Sequence, residues 1–198
     1  MEERKKRITG TTCYPLHTYS KKEWEKKVSS TLNPSFKGNE NTRYGAKTEP
    51  LARDRYITDT GHTVVTCGLL VCTENPWLGC SPDGIVMFDQ VPSRLLEIKC
   101  LTQGKVMGAR ETAASCKALE KVGDAFRLKK KHTFYGQVQL GMALLNVDSC
   151  DFIIYASLDD SIETINVPFD EDFTWGMLKH LKTVYFKHVL PVLSSGHL

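Results

Sequence analysis

Apolar and polar positions change their period several times along the chain, and each change marks an element. HTVVTCGLLVC is rich in β-branched residues and reads as a strand, or a pair of strands broken at Gly68. After the breaker ENP, WLGCSPDGIVMF and RLLEIKCL are two further strand-like runs, and DQVPS between them carries turn chemistry. Together they predict an antiparallel hairpin. CDFIIYASL and ETINVPF add two more strands.

Helical spacing appears in three places. In NTRYGAKTEPLARDRYI, Tyr44, Thr48, Leu51 and Arg55 share one face, with Glu49 and Ala52 beside it. Pro50 leaves two options, a helix starting at Thr48 as N-cap or one that starts earlier and bends. In HTFYGQVQLGMALLNV, Tyr135, Val138, Met142 and Leu145 recur at helical intervals, and DEDFTWGMLKHLKTVYFKHVLPVL is an amphipathic closing helix, opened by Asp170 and ending near Pro191. The order of helix, three or four strands, helix, two strands and helix predicts an α/β core with a central mixed β-sheet flanked by helices. Residues 1–40 read as a basic lead-in with one or two helical turns in KKEWEKKV, residues 41–198 as a single domain, and residues 102–131 as a polar connection rich in Gly and Lys.

Composition narrows the class. The 198 residues are 41% apolar and 25% charged, enough for one sizeable core and inconsistent with disorder or collagen. No apolar run reaches the roughly 20 residues of a membrane helix, and MEERKKRITG lacks the apolar stretch of a signal peptide, so an intracellular protein without membrane association is expected. Arg4-Lys5-Lys6-Arg7 is compatible with nuclear import in a eukaryotic setting. The seven cysteines form no CxxC pair, which indicates free thiols rather than disulfides or a zinc knuckle. The net charge of +3 is too small to identify a partner, but its distribution is uneven. Residues 117–132 hold six basic residues against Glu120 and Asp124, whereas residues 148–172 hold eight acids and no Lys or Arg.

The chemistry concentrates in Ser81-Pro82-Asp83-Gly84 and Glu97-Ile98-Lys99. Side chains two apart on a strand share a face, so Glu97 and Lys99 emerge together while Ile98 turns away. If the two strands pair, Asp83 lies across from Glu97. Charged groups on an apolar sheet need pairing or a metal, and oxygen ligands from two carboxylates suit Mg²⁺, with Mn²⁺ able to substitute. A lysine beside such an ion orients an attacking water, which meets the needs of phosphodiester hydrolysis. Glu-x-Lys by itself is a cheap pattern that occurs three times here; only the third lies in an apolar strand next to Pro-Asp-Gly.

Four segments in order extend this pattern: Gly45-x-x-x-Glu49-Pro50-x-Ala52, Leu78-Gly79-Cys80-Ser81-Pro82-Asp83-Gly84, Leu96-Glu97-Ile98-Lys99-Cys100 and Gln137-Val138-Gln139. On these residues the sequence resembles the PD-(D/E)xK nucleases, and within them the YqaJ-type viral recombinases that include the lambda exonuclease. The resemblance implies a restriction-endonuclease-like core and a metal-dependent exonuclease on duplex DNA ends, acting 5′ to 3′ in recombination. It implies Asp83, Glu97, the Ile98 carbonyl and Glu49 at the metal, Lys99 as catalytic lysine, Gln137 lining the site, and Ser81 near a terminal phosphate. It also implies a homotrimer and a single-strand annealing protein as partner. Arg127, Lys129, Lys130 and Lys131 are the expected contacts to the DNA backbone. Leu101 stands where the family often has proline, and the arginine and serine that hold the 5′-phosphate in the phage enzyme have no clear match in residues 1–40. The competing readings are a non-catalytic DNA-binding module that keeps the fold and a structure-selective endonuclease.

Overall fold

The computed structural model describes residues 2–33 and 38–195. Its frame is a five-stranded mixed sheet. In chain order the elements leading into it are α1 (Glu2–Lys5), β1 (Ile8–Thr9), α2 (Gly10–His17), α3 (Trp24–Leu32) and α4 (Glu40–Thr60), then β2 (Thr63–Val65), β3 (Leu70–Val71), β4 (Leu78–Cys80), β5 (Gly84–Phe88) and β6 (Val91–Cys100). A 3₁₀ turn (Thr102–Lys105), α5 (Ala109–Ser115), β7 (Leu119–Val122), β8 (Ala125–Leu128), α6 (Thr133–Leu145), β9 (Ser149–Ala156), β10 (Ser161–Pro168) and α7 (Glu171–Val184) follow. A π-helical turn (Tyr185–Val189) and α8 (Leu190–Ser194) close the described chain.

The sheet order is β10-β9-β6-β5-β2. Strands β6 and β9 run parallel and the other neighbours antiparallel, with Gly84 opposite Leu96 and Glu97 opposite Phe152. The expected hairpin is therefore present, with a tighter turn than DQVPS: Asp89 and Gln90 alone form it, both at positive φ (47° and 65°), as a two-residue hairpin turn requires. Pro92 and Ser93 lie inside β6. The register shifts between Val86 and Met87, and this bulge tolerates the missing amide of Pro92.

Two faces of β6 feed two cores. Leu96 and Ile98 pack with Ala52 and Tyr56 of α4, and with Val86, Ile153 and Tyr155. Leu95 turns the other way, toward Tyr135, Val138 and Met142 of α6 and Phe152 of β9. Helix α4 starts early rather than at Thr48: the Asn39 side chain accepts from the Thr42 amide at 3.0 Å, and Gly61, at φ 68°, ends the helix. Its buried face is Tyr44, Thr48, Ala52 and Tyr56, a strict i, i+4 series, whereas Leu51 is half exposed. The closing helix does not stop at Pro191. A π-turn intervenes, and the proline sits in the first turn of α8, where its missing amide costs nothing.

The largest departures concern segments read as connections. Residues 1–40, expected as a lead-in, place Ile8, Cys13, Leu16, Val28 and Leu32 in a core shared with Trp77, Leu140 and Met177. Strand β1 pairs in parallel with β4. Helix α2 packs closely on α6: a Cβ at Gly136 would lie 2.8 Å from Cβ of Tyr14, and one at Gly10 would lie 3.1 Å from Cγ of Gln137. Within residues 102–131, expected to be a plain connection, α5 and the β7–β8 hairpin bury Thr112, Ala113, Leu119 and Leu128.

Candidate active site

Asp83 lies just before β5, where the chain leaves β4 and turns back into the sheet, and its Oδ2 accepts the Ile98 amide of β6 at 2.8 Å. That bond ties the aspartate to the strand carrying Glu97 and Lys99. Glu97 is 2% exposed, and its Oε1 accepts both Lys99 Nζ at 2.5 Å and Gln137 Nε2 at 2.6 Å. Both donors converge on one oxygen, so among the described residues Oε2 receives no hydrogen bond.

Glu49 joins the group through Arg53, one turn further along α4. The guanidinium donates to Glu49 Oε1 at 2.6 Å and to the Asp83 carbonyl at 2.9 Å. The structure thus brings together Asp83, Glu97, Ile98, Lys99, Gln137 and Glu49. Arg53 belongs with them and was not singled out from the sequence; its position four residues after Glu49 was the available signal.

Burial pushes the Glu97 carboxyl up to about 7, aided by the nearby charges of Asp83 and Glu49 and opposed by Lys99. Burial alone would pull Lys99 down, but Glu97 and Asp83 outweigh it and its pKa ends above the usual lysine value. The ammonium also lies 4.6 Å from the centroid of the Phe134 ring.

Among the described residues no three His, Cys, Asp or Glu side chains are grouped to hold a metal. Mg²⁺ does not need such a group, because it usually takes one or two carboxylates and keeps several waters. The donor set fits it: Asp83 and Glu97 side by side, an unbonded oxygen on a carboxylate burial makes costly to charge, and the Ile98 carbonyl on the same strand.

Beside Glu97 opens a cleft lined by Arg4, Thr9, Thr11, Ser81, Pro82 and Gln137. The Ser81 hydroxyl is buried and has no hydrogen-bond partner. Arg4 of α1, Thr9 at the N-cap of α2 and Thr11 in its first turn bring polar side chains from residues 1–40 to this cleft, and none of the three was singled out as a site residue from the sequence. They escaped notice because only tertiary packing of β1 against β4 brings them to Ser81.

The basic run is arranged differently. Arg127 pairs with Glu120 and Lys130 with Asp170, while Lys129 Nζ donates to the Lys117 carbonyl. Together with Lys131 they border a separate hollow with Tyr135 and Pro168, not the Ser81 cleft. The second glutamine of Gln137-Val138-Gln139 is fully buried and structural. Its amide donates to the Pro168 carbonyl at 2.9 Å and its oxygen accepts from the Asp170 amide at 2.8 Å, fixing the start of α7.

Residues 1–147 match the model of the YqaJ-like viral recombinase domain. The chain belongs to this family. None of the curated proteins compared with it matches. Among solved structures, the alkaline exonuclease LHK-Exo from Laribacter hongkongensis superposes with a TM-score of 0.74 at 21% identity, covering 99% of this chain and 94% of that one. A phage-related exonuclease from Haemophilus somnus 129PT gives 0.57 at 14% identity, with 96% of each chain covered. A SOX–DNA complex gives 0.60 at 9% identity, covering 96% of this chain and 67% of that one. These likenesses establish the fold expected from the sequence, a central mixed sheet between helices. No helix among the described residues is long and apolar enough to cross a membrane.

Proposed function

We propose that the protein is a Mg²⁺-dependent deoxyribonuclease that removes nucleotides from duplex DNA ends in the 5′ to 3′ direction, in the service of recombination. The observation that carries this reading is the convergence of Asp83, Glu97 and Lys99 beside a cleft holding an unpartnered serine hydroxyl. LHK-Exo, the alkaline exonuclease sharing the fold, has also been seen in complex with dAMP.

Asp83, Glu97 and the Ile98 carbonyl would hold the ion, which when bound supplies a nucleophilic water at neutral pH and a counter-charge for the phosphate. Lys99, kept protonated by the two acids, orients that water and stabilises charge growing on the phosphate oxygens. Gln137 holds Glu97 in place and Arg53 fixes the Asp83 backbone. On the other side of Glu97, the Arg4 guanidinium, the α2 N-terminus and the Ser81 hydroxyl form an environment suited to a terminal phosphate, and this supports action from the 5′ end.

The test is digestion of linear duplexes labelled at either end, with a 5′-phosphate or a 5′-hydroxyl, in Mg²⁺ or in chelator, with closed circular DNA alongside. Stepwise loss from the 5′ end that needs Mg²⁺ and spares the circle is expected, with Arg4→Ala and Ser81→Ala narrowing the advantage of the 5′-phosphate. Cutting of the circle would make the protein an endonuclease. Duplex binding without any cleavage would leave a DNA-binding module.

A further inference from the structure

A second opening lies along β6 on the far side of the reacting groups. The Ser81 cleft reaches Leu95 and Glu97, whereas this hollow reaches Cys100 and Leu101, and Lys99 stands between them. At about 3.3 Å per residue the two are about 10 Å apart along the strand. The hollow has a volume of about 290 Å³. That is just below the range of sites for whole small molecules, so it suits one planar ring system and excludes a duplex.

Its walls have a definite chemistry. Phe134 and His132 present partly buried aromatic rings whose centroids are 4.6 Å apart, inclined at 62° edge to face, with the Lys99 ammonium over the Phe134 ring. Asn41, Thr102 and Gln103 bring hydrogen-bonding groups, and Thr102 donates to Asn41 Oδ1 at 2.9 Å, which orients the Asn41 amide. Lys117 adds a cation. An aromatic pair with adaptable polar edges and one cation matches an unpaired nucleobase with its phosphate, and contact with an aromatic ring accepts any base.

We infer that this hollow is a nucleobase subsite, holding the base of the nucleotide that stays with the DNA on the far side of the cleaved bond, packed against Phe134 and His132, one ring met face-on and the other edge-on. The inference rests on the nuclease reading above and adds a position to it. With a terminal phosphate at Ser81 and the reacting phosphate at Glu97 and Lys99, the next nucleotide along β6 arrives at Phe134. The second nucleotide from the degraded end is the one read, without regard to sequence.

The experiment pairs substrates lacking one base with variants of the platform. Removing the base at the second nucleotide should lower kcat/KM of the wild-type protein about tenfold, while removal at the fourth has little effect. Phe134→Leu, which keeps an apolar side chain against Phe152, should lose the same factor on intact DNA and be indifferent to the missing base. Light-induced crosslinking of 5-iodouracil at the second nucleotide, with Ca²⁺ in place of Mg²⁺, should map to Phe134 or His132. Equal slowing of Phe134→Leu on intact and base-lacking DNA would assign Phe134 to holding Lys99 instead, and would overturn the subsite. Normal cleavage by the wild type with no penalty for the missing base would overturn it and leave the nuclease reading standing. No cleavage of any substrate would overturn the nuclease reading, and the crosslink position would still decide for or against the base site.

Discussion

Two carboxylates are buried in neighbouring strands of one sheet and end in opposite situations. Glu97 of β6 is 2% exposed and Asp151 of β9 is 4% exposed. They face opposite sides, Glu97 toward α6 and Asp151 toward α4. Asp151 is enclosed by donors on both oxygens: Tyr56 at 2.6 Å and Arg94 at 3.4 Å on Oδ2, Asn166 at 3.5 Å on Oδ1. His62 Nδ1 extends the network from the Tyr56 hydroxyl at 3.1 Å. Glu97 has both its donors on one oxygen and an open cleft beside it. A buried acid that is fully partnered holds a fold together, while one left half-partnered next to an opening is placed to take a ligand.

Substitutions that remove each acid should separate these roles. Asp83→Ala or Glu97→Gln should reduce the cleavage rate about a thousandfold or more, with little loss of thermal stability, read by single-turnover digestion and a melting curve on the same sample. If either variant cuts at the wild-type rate, the half-partnered acid is structural and the contrast disappears. Asp151→Ala should do the opposite, costing about 2–4 kcal/mol in denaturant unfolding because it leaves the buried Tyr56 hydroxyl without its acceptor and removes the bonds from Arg94 and Asn166, while the folded fraction cuts normally.

Tyr56→Phe removes only one donor, so the same unfolding experiment should give about 1.5–3 kcal/mol. A loss as large as that of Asp151→Ala would mean that the hydroxyl alone carries the network. The smallest effect concerns an acid nearer the surface. Lys130 and Tyr135 hold the Asp170 carboxyl below the usual aspartate range, and its Oδ1 caps α7 by accepting from the Phe173 amide at 3.1 Å. Because the folded value is the lower one, the stabilisation is complete above the ordinary aspartate pKa and lost as pH falls through the depressed one. Asp170→Ala should cost about 1 kcal/mol at neutral pH, and the gap from wild type should close below about pH 4. A gap independent of pH would remove charge from the explanation.

Much of this was legible in the chain because it is local. The hairpin that brings Asp83 against Glu97, the α6 helix carrying Gln137 and the Asp170 cap each follow from a short-range period or a cap residue. Residues 1–32 resisted because their elements are brief: β1 has two residues, and Ile8, Cys13 and Leu16 are scattered among polar neighbours until β4 and α7 cover them. The β7–β8 hairpin resisted because Lys121, Arg127 and Glu120 break the alternation that would reveal it. The charge run of residues 117–132 was visible, but its internal pairing with Glu120 and Asp170 was not, since that depends on a strand partner and on α7 forty residues away.

The close seat of α2 on α6 gives the site a mechanical property. Gly10 leaves slightly less than a methyl's width against the very side chain that steadies Glu97, and Gly136 leaves none against Tyr14. The two helices therefore act as a gauge block of fixed thickness. A single carbon added at residue 10 would be transmitted through Gln137 to the carboxylate without touching any charged group, and the precision of the centre is set in part by two hydrogen atoms that stand where side chains would otherwise begin.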